Sequence, residues 1–380
     1  MTTTYKAIII GAGQAGLSAA HELARRGLVP GKDFLLIDAN PGPGGAWRHR
    51  WDSLTLGKAH GIADLPGLDM RRPDPKMPAS RLVSDYYGAY EDTFELKTIR
   101  PVDVTRVEEA ENDLLRIHAR DGRSWLSRMV LNATGTWTNP YIPYIPGIET
   151  FQGRQLHTRD YVKAEDFAGQ RTLVVGGGLS AVQFLLELAP LTETIWATRR
   201  PPNFTSQEFD AGWGLAVEKA VRERTHSGQA PASVVRTTGI PQNPDYLRGV
   251  KEGTLVSRGM IDQIHPETVR FGPPLSTRQQ GLGPSTGSKL AVPESWDPLP
   301  HGQVEKVDVI FWNTGFRAAL RHLAPMKLRG KGGIELLDEV TPAADPRILL
   351  VGYGSTASTV GATRAGRLAG RKAWKWLSGK

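Results

Sequence analysis

The chain has 380 residues, 39% of them hydrophobic, an ordinary globular composition with room for two or three domains that bury cores without metal or disulfide help. Cysteine is absent, which excludes disulfides, thiolate metal sites and thiol catalysis and fits a reducing, cytoplasmic setting. The net charge of +8 has no compact Lys/Arg block or aromatic–basic repeat behind it, so it speaks against a nucleic-acid partner and for phosphorylated cofactors, or for solubility alone.

The first residues are polar and run straight into Ile8-Ile9-Ile10, which predicts a buried strand and not a secretory signal. No apolar run approaches the roughly 20 residues of a membrane span. The glycine turn Gly11-Ala12-Gly13-Gln14-Ala15-Gly16 follows. An amphipathic helix is predicted from Leu17 to Arg26, ended at Gly27, and a second buried strand over Phe34–Asp38. GxGxxG between strand and helix is the pattern of a dinucleotide-binding turn. Gly11 permits the tight turn, Gly13 lets a pyrophosphate approach the backbone, and Gly16 lets the helix pack on the strand. The phosphates meet the helix amino end through the N–H groups of Gln14 and Ala15. Asp38 ends the next strand about 20 residues on, where a carboxylate accepts both ribose hydroxyls. The rival reading is a glycine turn beside an unrelated surface Asp.

Pro140–Gly147 carries three prolines and predicts an extended connector between two nucleotide domains. The strand, glycine turn, helix, strand order then recurs. Thr172–Val175 leads into Gly176-Gly177-Gly178-Leu179-Ser180-Ala181, a helix is predicted to about Leu188, and a strand over Thr194–Ala197. Thr198-Arg199-Arg200 stands where the first unit has its acid. A carboxylate there repels a 2′-phosphate, whereas a guanidinium binds it bidentately. The second site, with Gly176, Gly178, Leu179, Ser180, Ala181, Arg199 and Arg200, is therefore expected to take NADPH, with NADH use left open. Two solvated arginines at a strand end are the bland alternative. Two dinucleotide sites in one chain imply electron transfer between a tightly held flavin and an exchangeable nicotinamide. Pro273–Pro300 is rich in Gly, Pro and Ser and reads as a long surface loop, a lid or a disordered insertion. Thr359–Lys380 reads as a basic helix, with membrane attachment or a simple match of cations to its carboxyl end as the two readings.

Between the glycine motifs, Phe151, Gly153, His157 and Tyr161 spell FxGxxxHxxxY. This resembles the identifying sequence of flavin-containing monooxygenases, within the class B flavoprotein monooxygenases. Gly44-Gly45-Ala46-Trp47 resembles that family's GGxW flavin contact, and Ala133-Thr134-Gly135 the strand that leaves its FAD domain. Asn313-Thr314-Gly315 resembles the second such strand. Gly352-Tyr353-Gly354 with Ser358-Thr359 resembles the carboxyl-terminal flavin segment. The resemblance spans nearly the whole chain and suits the short bacterial members. It implies that Gly45, Trp47, Thr134, Gly135, Gly354 and Thr359 join the FAD site and that Thr314 joins the NADPH site. Trp47 and Trp51 read equally as core aromatics. Two departures stand out. Tyr161 replaces the Trp of typical Baeyer–Villiger enzymes, which favours heteroatom oxygenation. No Asn occurs in Leu56-Gly57-Lys58-Ala59-His60, where many relatives place one near the flavin.

The expected fold is α/β, with two Rossmann-like dinucleotide-binding domains, the second inserted into the first. The FAD domain is expected over 1–155 and 318–380 and the NADPH domain over 156–317. The resemblance implies an FAD-dependent, NADPH-consuming monooxygenase that inserts one oxygen atom into a thioether or amine through a flavin C4a-hydroperoxide. Its partners are then a small-molecule substrate and molecular oxygen, with a homodimer an open question. Lys58 and His157 are the candidate catalytic side chains; His157 reads equally as a linker holding backbone. No metal site is expected, since the nine His include no HExxH. A thioredoxin-reductase-type chemistry fails for want of a cysteine pair. An NADPH oxidase or flavin reductase, a non-catalytic flavin-binding protein, and a single-site dehydrogenase without flavin remain as alternatives.

Overall fold

The computed structural model describes residues 3–59, 61–71, 74–206, 222–231, 239–273, 290–330 and 332–379. The chain divides into two units: Met1–Asn139, Glu218–Ala232 and Ala318–Lys380 form the first, and Pro140–Val217 with Ser233–Arg317 the second.

Unit 1 opens with β1 (Thr4–Ile10), whose last four residues are fully buried. Helix α1 (Gln14–Arg25) starts three residues earlier than its apolar pattern predicts. Gln14, Ser18, His21 and Glu22 are polar yet buried, so the face of α1 that packs inward is masked in a hydrophobicity pattern. Gly27, with φ +89, turns the chain toward β2 (Phe34–Ile37). Helix α2 (Ala79–Thr93) contributes the buried Tyr86, Tyr87 and Tyr90. Strands β3 (Val104–Ala110), β4 (Leu114–Ala119) and β5 (Ser124–Asn132) form an antiparallel meander. Sheet order is β2-β1-β5-β4-β3, with β1 parallel to both β2 and β5.

Unit 2 holds β6 (Arg154–His157), β7 (Arg171–Val175), α3 (Leu179–Leu188) and β8 (Glu193–Ala197). It continues with β9 (Phe204–Thr205), β10 (Ile240–Pro241) and α4 (Pro244–Lys251). Strands β11 (Ile261–Ile264), β12 (Thr268–Phe271) and β13 (Val304–Lys306) make an antiparallel sheet, and β14 (Val309–Trp312) returns to the parallel sheet ordered β6-β14-β7-β8. The boundary falls between Asn139 and Pro140 rather than between Gln155 and Leu156. Strand β6 pairs with β14, and the Pro-rich stretch is tied into the same unit. Tyr141 N–H donates to Gly315 (3.0 Å) and Ile264 N–H donates to Pro146 (2.8 Å), so Pro140–Gly147 is part of unit 2 and not a free connector. Within Pro273–Pro300, residues 274–289 lie outside the described ones; Ser295 beyond them is buried and accepts from Ser257 N–H (2.8 Å).

The chain re-enters unit 1 at Ala318. Strand β15 (Ile348–Leu350) pairs parallel with the end of β5, and α5 (Thr359–Leu377) packs along α1. The buried face of α5 is all small: Gly361, Ala362, Ala365, Gly366, Ala369, Gly370 and Ala373. A Cβ on Gly366 would lie 2.6 Å from Ala15 O, and one on Gly370 2.7 Å from Glu22 Cβ. The small-residue face of this helix packs on α1, and two of its cations pair locally, Lys372 with Asp338 and Arg364 with Glu339. Among the described residues no helix is long and apolar enough to cross a membrane.

Candidate functional site

In unit 1 the three motif glycines meet different demands. Gly11 has φ +104, and a Cβ on it would lie 2.4 Å from Ala133 O; Gly16 would place one 1.8 Å from Gly11 O. These two let β1, α1 and the end of β5 close on one another. Gly13 differs: its φ of −89° suits any residue, and a Cβ there would meet only Gly45 Cα, at 3.8 Å. Gly13 therefore faces space that the protein does not fill. It is also the N-cap position of α1, which has no side-chain cap and no acid in its first turn. By contrast Asn243 caps α4 and Ser358 caps α5. An uncapped helix start behind an open glycine is the cradle a pyrophosphate fits. Gly45, with φ +53, forms its rear wall, 2.8 Å from Gly13 Cα if it carried a Cβ.

Asp38 is 6% exposed and is held by the same turn. Its Oδ2 accepts from Ala12 N–H (2.7 Å) and its Oδ1 from Asn40 N–H (2.8 Å). The Arg100 guanidinium lies 3.9 Å away and pairs with Glu91 at 2.5 Å. A carboxylate offers about four acceptor positions, so two remain for ribose hydroxyls. Gln14 is fully engaged by protein: Nε2 donates to Ala63 O (2.9 Å) and Thr363 Oγ1 (2.8 Å), and Oε1 accepts from the Tyr87 hydroxyl. Gln14 and Ala15 thus offer backbone, not side chain. Tyr87, Glu91 and Arg100 have no motif around them, and sequence reasoning does not find them.

The other unit 1 candidates lie on irregular segments. Trp47 starts a short 3-10 turn and donates its N–H to Gly44 O (3.0 Å). Thr134 donates its hydroxyl to Ala319 O (2.8 Å), and Gly135, with φ +60, accepts from Ala319 N–H (2.9 Å). Thr359 opens α5 and donates its hydroxyl to Gly61 O. Gly354 has φ +62, and a Cβ on it would lie 2.9 Å from Thr225 Cγ2. Both threonine hydroxyl protons are thus committed to backbone carbonyls, and each oxygen keeps acceptor capacity only. Lys58 is exposed on a turn and donates its N–H to Thr55 O (3.0 Å). His60, in the same stretch, lies outside the described residues.

Behind Thr134, Asn132 Nδ2 donates to its hydroxyl (3.0 Å), and His322 Nε2 donates to Asn132 Oδ1 (2.6 Å). Burial lowers the His322 pKa to about 4. Below pH about 6.5 the unfolded chain takes up a proton at this imidazole that the folded chain refuses, so stability falls as pH drops from 6.5 toward 4. The loss is expected to reach about 3 kcal/mol. His322→Gln should flatten the urea midpoint of unfolding across that window; an unchanged slope would remove the assignment.

In unit 2, Gly176 has φ +143 and would place a Cβ 2.2 Å from Asn313 O. Gly178 is the N-cap position of α3, which again lacks a side-chain cap and a first-turn acid. Leu179 and Ser180 are half-buried in its first turn and Ala181 is buried. Arg199 is exposed and Arg200 half-buried just past β8. Neither has a carboxylate within ion-pair distance among the described residues. Thr198 Oγ1, below them, bonds Arg200 O (2.5 Å) and Ser257 Oγ (2.7 Å), which fixes the backbone that carries the two cations. Thr314 donates its hydroxyl to Tyr141 O.

The FxGxxxHxxxY residues turn out to be packing residues of this unit. Phe151 joins the core, and a Cβ on Gly153 would lie 2.4 Å from Asp308 O. Tyr161 stacks near Phe311 (5.8 Å) and donates its hydroxyl to Glu187 (2.8 Å). His157 is 1% exposed; Arg159 N–H donates to its Nδ1 (3.4 Å), so Nε2 carries the proton and donates to Gly315 O (2.9 Å). Desolvation lowers its pKa and keeps it neutral. Both ring nitrogens bond backbone.

The profile of the pyridine nucleotide-disulphide oxidoreductase family matches residues 8–235. The chain is similar to a flavin-containing monooxygenase structure from Stenotrophomonas maltophilia, 31% identical with a TM-score of 0.75, over 98% of this chain and 99% of that one. It is similar to a Baeyer-Villiger monooxygenase of Streptomyces coelicolor, 25% identical over 90% of this chain and 72% of the relative. It also matches an indole-3-pyruvate monooxygenase of Oryza sativa, 34% identical over 48% of this chain and 44% of that protein. The matched part spans about half the length of the first curated relatives, 56% and 44%.

Proposed function

Because this chain belongs to the flavin-containing monooxygenase family, we propose that it is an FAD-dependent, NADPH-consuming monooxygenase that inserts one oxygen atom into a soft nucleophile, a thioether or amine. One observation carries the reading. Two helices start uncapped behind a glycine turn, and the strand that follows leads into Asp38 in one unit and into Arg199-Arg200 in the other. Hydride acceptance and oxygen activation are the chemistry a bound flavin supplies. The residues of unit 1 bind and orient: the Gly13 and Gly45 backbone leaves room for the pyrophosphate, and Asp38 accepts from the ribose while holding Ala12 N–H in line. In unit 2, Gly176 and Gly178 open the second cradle, and the two arginines select a 2′-phosphate. No side-chain nucleophile enters this scheme, in keeping with the backbone engagement of His157.

The test is stoichiometric. Purified holoenzyme is expected to consume NADPH and yield one sulfoxide per nicotinamide with thioanisole, with little peroxide. Peroxide equal to NADPH with every thioether and amine tried would make it an oxidase instead. For the second cradle, Arg199→Ala with Arg200→Ala should raise KM for NADPH ten-fold or more over that for NADH, since charge-assisted phosphate bonds are worth about 1.5 to 3 kcal/mol each. Equal effects on both cofactors would remove the arginines from this role.

A further inference from the structure

Several partly buried arginines of unit 1 are matched to acids. Arg100, whose side chain is 11% exposed, pairs with Glu91 at 2.5 Å; Arg347, 13% exposed, pairs with Asp345 at 2.7 Å and Glu109 at 2.9 Å. Arg50 has no such acid among the described residues. Its Nε is buried with no hydrogen-bond partner, and no carboxylate of the described residues comes within ion-pair distance. Its guanidinium instead lies among three indoles: 4.2 Å from the Trp137 ring centre, 5.8 Å from Trp51 and 5.9 Å from Trp47. Trp51 and Trp137 are 7% and 8% exposed, so the walls are fixed. Arg50 N–H closes the Trp47 turn (2.9 Å to Trp47 O), which places the cation on the segment that forms the rear wall at Gly45.

A guanidinium on aromatic faces keeps its in-plane donors free, and the ring contacts offset only part of its desolvation. What completes such a site is a planar oxyanion that meets the fork edge-on. The geometry points to Arg50, walled by Trp47, Trp51 and Trp137, as a recognition site for the carboxylate of an organic substrate. This deepens the proposed function and rests on it: the oxidisable thioether or amine is then carried on an acid with a flat or apolar body suited to indole walls. The other source of an oxyanion is a phosphate of the cofactor, and the experiment separates the two.

The experiment compares wild-type holoenzyme with Arg50→Met and Arg50→Lys. Three quantities are read: FAD per chain, tryptophan-fluorescence quenching by benzoate, and the kcat/KM ratio of 4-(methylthio)benzoate to thioanisole. Wild type should bind benzoate and favour the acid. Both variants should keep FAD, lose benzoate quenching, and lower the ratio ten-fold or more, with Lys retaining part of it. Loss of FAD from both variants would transfer the anion to the cofactor and overturn the inference. So would a wild type that oxidises thioanisole with no preference for the acid, an outcome that leaves the monooxygenase reading intact. Benzoate quenching that depends on Arg50 without turnover of either sulfide would keep the anion site and sink the monooxygenase reading.

Discussion

Gly13→Leu is expected to give a folded but colourless protein. The backbone there, φ −89° and ψ −166°, is open to any residue, and the nearest atom to an added Cβ is Gly45 Cα at 3.8 Å. The fold therefore tolerates the side chain. A pyrophosphate does not, because the leucine occupies the space through which it reaches the first-turn N–H groups of α1. Losing two or more charge-assisted bonds at about 1.5 kcal/mol or above weakens FAD about a hundred-fold or more. Visible absorbance after purification reads the loss, and circular dichroism reads the retained fold. A yellow variant with normal flavin content would show that the pyrophosphate lies elsewhere.

Gly16→Ala, three residues on, is expected to fail for the opposite reason. Its Cβ would sit 1.8 Å from Gly11 O, a backbone atom that cannot swing aside. Either α1 moves off β1 or the turn opens, and Ala15, Ser18 and Glu22 on that helix are themselves packed against the glycines of α5. Overpacking of a core typically costs about 1 to 3 kcal/mol, and a backbone clash on a buried helix belongs at or above the top of that range. The urea midpoint should fall sharply, or expression in folded form should be lost. Wild-type stability in this variant would mean that the strand and helix do not approach as described. The two glycines thus separate ligand room from packing room within one motif.

The parts of this molecule that were legible in the sequence are those in which local pattern and fold coincide. Ile8–Ile10 and Leu173–Val175 are short buried strands bounded by glycine, and they fall where the pattern puts them. Asp38 and Arg199-Arg200 are found by counting from the glycines. The start of α1 lies ahead of its apolar pattern because Gln14 and Ser18 are buried by hydrogen bonds rather than by apolarity. Helix α2 has no clean apolar period, because its three buried tyrosines each donate a hydroxyl to a distant residue: Tyr90 to Pro66 O, Tyr86 to Leu68 O, Tyr87 to Gln14. The boundary between the units is set by β6 pairing with β14, more than a hundred and fifty residues later, and no local signal carries that. The same holds for Arg50. A lone arginine between tryptophans reads as surface until the strand end that brings Trp137 over it is in place.

The pairing of β15 with β5 has a consequence for synthesis. Leu350 lies beside Asn132 in the sheet, and everything from Pro140 to Val217 and from Ser233 to Arg317 is translated between the end of β5 and the start of β15. The later-numbered half can therefore finish while its host still waits for an outstanding strand and for the glycine-faced helix that covers α1. Until those arrive, the nascent host shows the ribosome's surroundings an open β5 edge, so chaperone capture during translation should concentrate on the half that is made first and completed last.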